Sequence, residues 1–353
     1  SEVCMTCPVR IERPDATSGG SCVRSAASIA VSTGRPVQLT GEPERGGLKA
    51  EGLSCLQAIA EIAPGTVLEG AEIGSDRISI SPKAARAGRF SLDAGPSGSV
   101  ALVLQTVLLP LIGAGGRSLL TIRGVTHAKR APSFEWLRHV WSFWLEQMGI
   151  RVELELRHAA FEPRSDGEIR VLIEPSEIRP MPVGEVRSPK FDRIQLIGLR
   201  TPDVSRPFLA GQLERLSAAL RSQPKLVGPL TEIHSTVGEW DAKTQGGATV
   251  LGLLESDCCR AGIQRVWLRR DEACDLSEEL GTELLSFLEA GGGLDPYAAD
   301  QLMLPLAGAS GPSAFETSVI STQIERQRYV IERFGLAEAG IAGNSVQINP
   351  VGF

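Results

Sequence analysis

The stretch Tyr297-Ala-Ala-Asp300-Gln301-Leu-Met-Leu-Pro305-Leu306 decides how the chain is read, together with Phe315-Glu-Thr-Ser-Val-Ile-Ser321-Thr322-Gln323 and Tyr329-Val-Ile-Glu-Arg-Phe334. Polar residues here interrupt what would otherwise be ordinary core. Asp300 and Gln301 head an apolar run, and Gln323 follows a Ser-Thr pair of the kind that opens a helix by capping its first amides. Such positions aim side chains into a cleft. The earlier parts of the chain either support that cleft or line it.

At 353 residues the chain exceeds what a single core usually fills, so a main body with an inserted or partner domain is expected. With 42% apolar and 22% charged residues the composition is that of a globular protein, and with only 5% aromatic the core must be mostly Leu, Ile, Val and Ala. A formal net charge of −6 disfavours a general nucleic-acid coat and leaves room for a local basic pocket. The first residues, Ser1-Glu-Val-Cys4-Met-Thr-Cys7-Pro8, show neither a basic n-region nor an apolar h-region. The longest apolar run, Val100 to Gly113, carries Gln105 and Pro110 and falls short of the ~20 residues of a membrane span. A cytoplasmic protein is expected. Seven cysteines, an odd number, suit a reducing compartment. Cys4-x-x-Cys7 has the spacing of half a zinc site, but the only other close pair, Cys258-Cys259, is adjacent, so unpaired thiols are favoured over structural zinc.

Apolar spacing predicts a helix from Cys22 to Ala30 ended by Gly34, a short strand at Val37 to Leu39, and a helix carrying Leu53, Leu56, Ile59 and Ile62. Strands are expected near Thr66 to Leu68, Ile78 to Ser81 and Phe90 to Leu92. The rhythm repeats with a turn at Asp93 to Ser99, a helix from Val100 to Leu111, a strand at Leu119 to Ile122, a helix from Phe134 to Met148, and strands at Val152 to Leu156 and Ile169 to Ile173. Pro180 to Pro189 reads as a linker. Beyond it, Ile194 to Gly198, a helix from Phe208 to Leu220 and strands near Thr249 to Leu254 and Val266 to Leu268 form a small β-α-β-β unit. The helix from Leu276 to Ala290, stopped by Gly291-Gly292-Gly293, returns the chain to the main body. The expected organisation is a main domain in two parts, 1–185 and 273–353, around an inserted subdomain, 186–272.

Gly19-Gly20-Ser21 before a helix, with Arg24 one turn in, is either a plain tight turn or a phosphate cradle of backbone amides and a guanidinium. Gln105 lies in the apolar run Val103-Leu-Gln-Thr-Val-Leu108 and must find a hydrogen-bond partner, structural or ligand. In Thr126-His127-Ala128-Lys129-Arg130-Ala131-Pro132 the cations and histidine suit phosphate contact, although solvated loop charge is the plainer explanation. The four histidines, His127, His139, His158 and His234, show no metal-ligand spacing.

Taken together these residues resemble the RNA 3′-terminal phosphate cyclase family, from about Arg13 to about Pro350. The family's glycine-rich opening appears as Thr17-Ser-Gly-Gly-Ser21-Cys-Val-Arg24, and its Gly-Leu-Arg-x-Gln-His-Leu as Gly47-Leu-Lys-Ala-Glu51-Gly52-Leu53. Leu102 to Thr106, Val125 to Pro132, Phe161 to Glu168 and Tyr297 to Pro305 follow in the family's order. The resemblance implies an α+β fold of three repeated β-α-β-α-β-β units around a cleft with a small inserted α/β subdomain. It also implies an activity: with ATP and a divalent metal (Mg or Mn), a histidine takes AMP and passes it to an RNA 3′-phosphate, which the 2′-hydroxyl then closes. By resemblance Gln105, Pro132, Tyr297, Asp300 and Gln301 line the nucleotide site, while Arg24 and Arg45 face phosphate.

The register of the resemblance places Gln323 at the catalytic histidine's seat. A carboxamide nitrogen, its lone pair delocalised, cannot hold AMP as an imidazole does. Thr17, Ser21, Glu51-Gly52 and Ala128 also replace polar residues of the family pattern. The expectation is a cyclase-like protein with a nucleotide or RNA-end binding cleft that does not form the histidine–AMP intermediate. An active ATP-dependent cyclase or related transferase of different chemistry, and a non-catalytic structural partner in RNA processing, are the alternatives.

Overall fold

Strand β1 (Val9–Glu12) alternates buried Val9 and Ile11 with exposed Arg10 and Glu12, the period-two pattern of a strand with one face on a core. A computed structural model of the chain describes residues 7–12, 20–42, 46–181, 190–223, 231–240, 246–268 and 275–351. Helix α1 (Ser21–Thr33) stops at Gly34, whose φ of 70° is the left-handed cap that glycine takes without strain. It carries the chain to β2 (Val37–Thr40), parallel to β1. Helix α2 (Ala50–Ile62) and strands β3 (Val67–Glu69) and β4 (Arg77–Ser81) complete a four-stranded sheet of order β1-β2-β4-β3.

The next segment has the same order of elements. Strand β5 (Arg89–Asp93), helix α3 (Val100–Ile112), strand β6 (Ser118–Gly124), helices α4 (Phe134–Trp136) and α5 (Ser142–Gln147), and strands β7 (Val152–His158) and β8 (Gly167–Ile173) build a sheet of order β5-β6-β8-β7. As in the first sheet, the opening pair is parallel and the other pairs antiparallel. The helix expected from Phe134 to Met148 is interrupted by a π-helical stretch, Leu137–Trp141.

A third sheet belongs to the segment that begins at Arg193. Strand β9 (Arg193–Arg200), helix α6 (Arg206–Arg221), strands β10 (Glu232–Glu239), β11 (Gly247–Glu255) and β12 (Arg260–Leu268) and helix α7 (Leu276–Ala290) give the order β10-β9-β11-β12. Its apolar cluster is separate from the main one and includes Leu196, Leu213, Leu216, Leu284 and Phe287. Two differences from expectation stand out. Strand β10 was not foreseen, because only Ile233 of its eight residues is buried and an edge strand lacks the apolar signal. Helix α7, expected to return the chain to the main body, packs on α6, β11 and β12. The stretch 182–189, within the expected linker, lies outside the described residues.

Helix α8 (Pro296–Ala307), strand β13 (Ser313–Glu316), helix α9 (Thr322–Phe334) and strands β14 (Ala337–Ala342) and β15 (Ser345–Pro350) end the chain with a sheet of order β13-β15-β14. The protein is thus a mixed α+β fold of several small sheets. Among its helices α1 packs on α2, α3 and α9, and α8 packs on α3 and α9. Helix α3 is buried nearly all round, which a helix of Val, Leu and Ala requires. On α1 the small buried residues Ser25, Ala26 and Ala30 let neighbouring helices approach. Among the described residues no helix is long and apolar enough to cross a membrane.

Candidate functional site

The site begins with a cap. Asp295, wholly buried, accepts hydrogen bonds from the backbone amides of Tyr297 and Ala298, each at 3.0 Å, and so opens α8 with Pro296 in its first turn. Its other oxygen accepts from the Gly262 amide of β12 at 3.0 Å and from the Trp136 indole at 3.4 Å. One carboxylate therefore joins three segments. Burial pushes its pKa up to about 6, against the pull of these donors.

From that cap, Tyr297, Asp300 and Gln301 follow at i, i+3 and i+4, which places them on one face of α8. Asp300 is 5% exposed, and its Oδ1 has no hydrogen-bond partner among the described residues. Desolvation pushes this carboxyl up to about 7, although the Gln301 side chain and the Arg24 charge pull it down. Gln301 lines a cavity with Arg24 and Ser25 of α1, Gln105 of α3, Trp141 and Gln327. Neither amide atom of Gln105 has a partner among the described residues. An amide left so is a group awaiting a ligand or water.

Helices α1 and α9 meet beside this cavity through two serine–glutamine hydrogen bonds. Ser21 donates to the Gln323 carbonyl at 2.7 Å, and Ser25 to that of Gln327 at 2.6 Å. Both pairs advance by four residues, so the helices run side by side in the same direction and their amino ends lie together. Two helix amino ends and Arg24 make a place that attracts anions. Arg24, however, already pairs with Glu51 of the first turn of α2, Nη1 to Oε1 at 3.2 Å. Their side chains are 13% and 43% exposed respectively.

The other expected residues fall close by. Pro132 is buried in a loop that Gln264 of β12 clamps: its carbonyl accepts from the Ser133 amide at 2.9 Å and its amide donates to the Ala131 carbonyl at 3.0 Å. Tyr297 sets its ring edge-on to Trp136 at 5.8 Å and lines a second cavity with Gln264, Arg265, Glu283, Phe287 and Val319. Burial raises its hydroxyl pKa. The expected residues thus divide: Arg24, Gln105 and Gln301 share one cavity, Tyr297 faces another, and Asp300 shares its helix face with both Tyr297 and Gln301. Arg45, Thr17 and Cys4 lie outside the described residues. Among the described residues no group of three His, Cys, Asp or Glu is placed to hold a metal ion.

His127 differs from the solvated loop position expected of it. It is fully buried, with Nε2 2.6 Å from Glu135 and Nδ1 2.7 Å from the Thr126 hydroxyl, between the rings of Phe161 and Trp240. Only its neighbours Lys129 and Arg130 are exposed in that loop. Asp295, Gln264 and Gln327 were not foreseen as site residues. The Asp-Pro pair before α8 is a helix-start signal, and Gln327 lies one helical turn beyond Gln323, but Gln264 gives no local sign of its contact over 130 residues away.

With this geometry in hand, the chain matches the RNA 3′-terminal phosphate cyclase family over residues 16–341. It is similar to the RNA 3′-terminal phosphate cyclase of Methylococcus capsulatus, 31% identical over 343 residues, covering 94% of this chain and 92% of the relative. That of Pseudomonas aeruginosa is 33% identical over 354 residues, with 92% of each covered. That of Methanopyrus kandleri is 27% identical over 355 residues, covering 98% of this chain and 99% of the relative. The chain belongs to the RNA 3′-terminal phosphate cyclase family.

Proposed function

We propose that this chain is a cyclase-like protein whose cleft binds a nucleotide or an RNA 3′ end and that it does not form a histidine–AMP intermediate. The start of α9 carries this reading. Gln323 takes the seat that the family resemblance gives to the nucleophile, its carbonyl is held by Ser21, and the residues lining the adjoining cavity include no histidine. A carboxamide offers hydrogen bonds and no nucleophilic lone pair.

Binding is supported by polar groups without partners among the described residues: the Gln105 amide, which lines the cavity, and the buried Asp300 Oδ1 one helical face away from it. Tyr297, Pro132, Asp300 and Gln301 would hold the base and sugar of ATP, and a divalent metal would supply charge neutralisation at its phosphates. The matching strand orders of the first two sheets support three repeated β-α-β-α-β-β units around the cleft. The separate apolar cluster supports an inserted subdomain at 186–272, to which α7 adds its packing. The test is incubation with labelled ATP and Mg or Mn, followed by a denaturing gel. No covalent AMP band is expected, and a robust one overturns the proposal.

One observation favours a second reading, an active transferase of different chemistry. The Asp300 carboxyl, pushed up to about 7 with one oxygen unengaged, is suited to proton transfer near neutral pH. Formation of a 2′,3′-cyclic phosphate from a 3′-phosphate RNA and ATP, abolished by Asp300→Asn, would establish it.

A further inference from the structure

We infer that Gln264 is a positioning residue of the nucleotide site: from strand β12 of the proposed inserted subdomain it fixes where Pro132 stands relative to the Tyr297 ring, and so gauges the space left for a base. This rests on the reading of Tyr297 and Pro132 as base contacts. The two cavities at α8 differ in size. The one beside Gln105 measures about 30 Å³, room for about one water. The one that Tyr297 and Gln264 share measures about 480 Å³, within the ~300–1,000 Å³ of small-molecule sites. A base therefore belongs on the Tyr297 side.

Strand β12 lies at the edge of its sheet, so its outer backbone groups can bond to other parts of the chain. The Gly262 amide donates to the Asp295 carboxylate at 3.0 Å, which fixes the start of α8 and with it Tyr297. Two residues on, the buried Gln264 side chain accepts from the Ser133 amide at 2.9 Å and donates to the Ala131 carbonyl at 3.0 Å. A carboxamide suits this place, because its oxygen and its nitrogen answer an amide and a carbonyl at once. Pro132 sits between the two bonds and has no N–H by which to be held directly. Its place follows from its neighbours. Ser133 in turn caps α4 by accepting from the Trp136 amide at 3.2 Å, and Trp136 meets Tyr297 edge-on. A Cβ at Gly262 would stand 3.0 Å from Trp136 Cδ1, so β12 also packs hard against this loop. The cap that starts α8 and the loop that carries Pro132 thus both hang on three residues of β12. With its oxygen and its nitrogen engaged, Gln264 acts on a ligand through Pro132.

Calorimetric titration of ATP into the unaltered chain, Gln264→Met, Tyr297→Ala and the double variant tests the assignment. Methionine keeps the length of glutamine and makes neither hydrogen bond. Gln264→Met should weaken ATP binding about tenfold by letting the proline shift. In the Tyr297→Ala background the same change should cost less than about twofold, because both substitutions undo one stack; a merely structural role would cost the same in each. Unchanged ATP affinity in Gln264→Met, or equal losses in the two backgrounds, would overturn the inference while leaving the binding cleft standing. Failure of the unaltered chain to bind ATP would instead overturn the reading of the cleft on which it rests. Should Gln264→Met not fold, hydrogen exchange of the unaltered chain decides: ATP should slow exchange across residues 131–136, and an unchanged rate there overturns the inference.

Discussion

The Ser21 hydroxyl donates to the Gln323 carbonyl at 2.7 Å, tying the first residue of α1 to the first turn of α9 across 302 positions of sequence. Ser25 and Gln327 repeat the bond one turn deeper, at 2.6 Å and fully buried. A glutamine at this seat is therefore part of the packing between two helices. Ser25→Ala leaves the Gln327 carbonyl buried without its donor, an expected loss of about 1–3 kcal/mol, while Ser21→Ala, at the partly exposed pair, should cost about 1 kcal/mol or less. Urea denaturation of the two variants measures the difference.

Asp300 gives the pH dependence of stability a definite sign. Its pKa is raised in the fold, to about 7 from 3.8, so between these values the folded state holds more protons than the unfolded one. Its contribution is fully favourable below about pH 4 and is lost as pH rises towards 7 and beyond. Asp300→Asn removes that loss, so the variant should gain on the unaltered chain by on the order of 4 kcal/mol at pH 8, by less than half of that at pH 5, and by little below about pH 4. Thermal melts across this range read it directly. A constant difference in Tm at all pH values would contradict the raised pKa.

Glu135 supports a buried contact between the main body and the segment that follows β10. It pairs with His127 at 2.6 Å, and His127 in turn packs against Phe161 and against Trp240, the residue after β10. Glu135→Ala leaves the buried His127 Nε2 without its partner and should cost about 1–3 kcal/mol. Gly247 of β11 lies against the same Phe161 ring, whose Cγ would be 2.3 Å from an added Cβ. Gly247→Ala should therefore destabilise by about 1–3 kcal/mol through overpacking. Loss of near-ultraviolet dichroism from Trp240 with a lowered Tm checks both.

Tyr297 and Asp300 make a separate test of the cleft. Removing the ring by Tyr297→Ala should weaken ATP binding by about 1–3 kcal/mol if the base stacks there, as aromatic platforms for bases do. Calorimetric titration that finds ATP binding unchanged in both Tyr297→Ala and Asp300→Ala would remove these residues from the site.

Much of this was legible from residues. The helix from Leu276 to Ala290 has the bounds expected of it, because Asp275 caps it and the glycine run ends it. The strands in alternating Ile, Val and Leu emerged within a residue or two at most ends. Strands β1, β14 and β15 were not foreseen, and neither was β10, whose pattern buries one residue and whose stability comes from pairing with β9. His127 was misplaced because two exposed cations follow it, while its burial depends on Trp240, more than 100 residues away. The family resemblance named Arg24, Gln105 and Gln301 together, and the three line one cavity. It gave no sign that Glu51 neutralises Arg24, or that Asp295 ties β12 to the start of α8, because both depend on packing between distant segments.

The loss of the histidine route is tested most directly by labelled ATP. The unaltered chain and a Gln323→His variant are incubated with α-labelled ATP and Mg or Mn, and each is run on a denaturing gel. No covalent AMP band is expected on the unaltered chain, and a band is expected only where an imidazole is returned to position 323. A robust band on the unaltered chain would contradict the account.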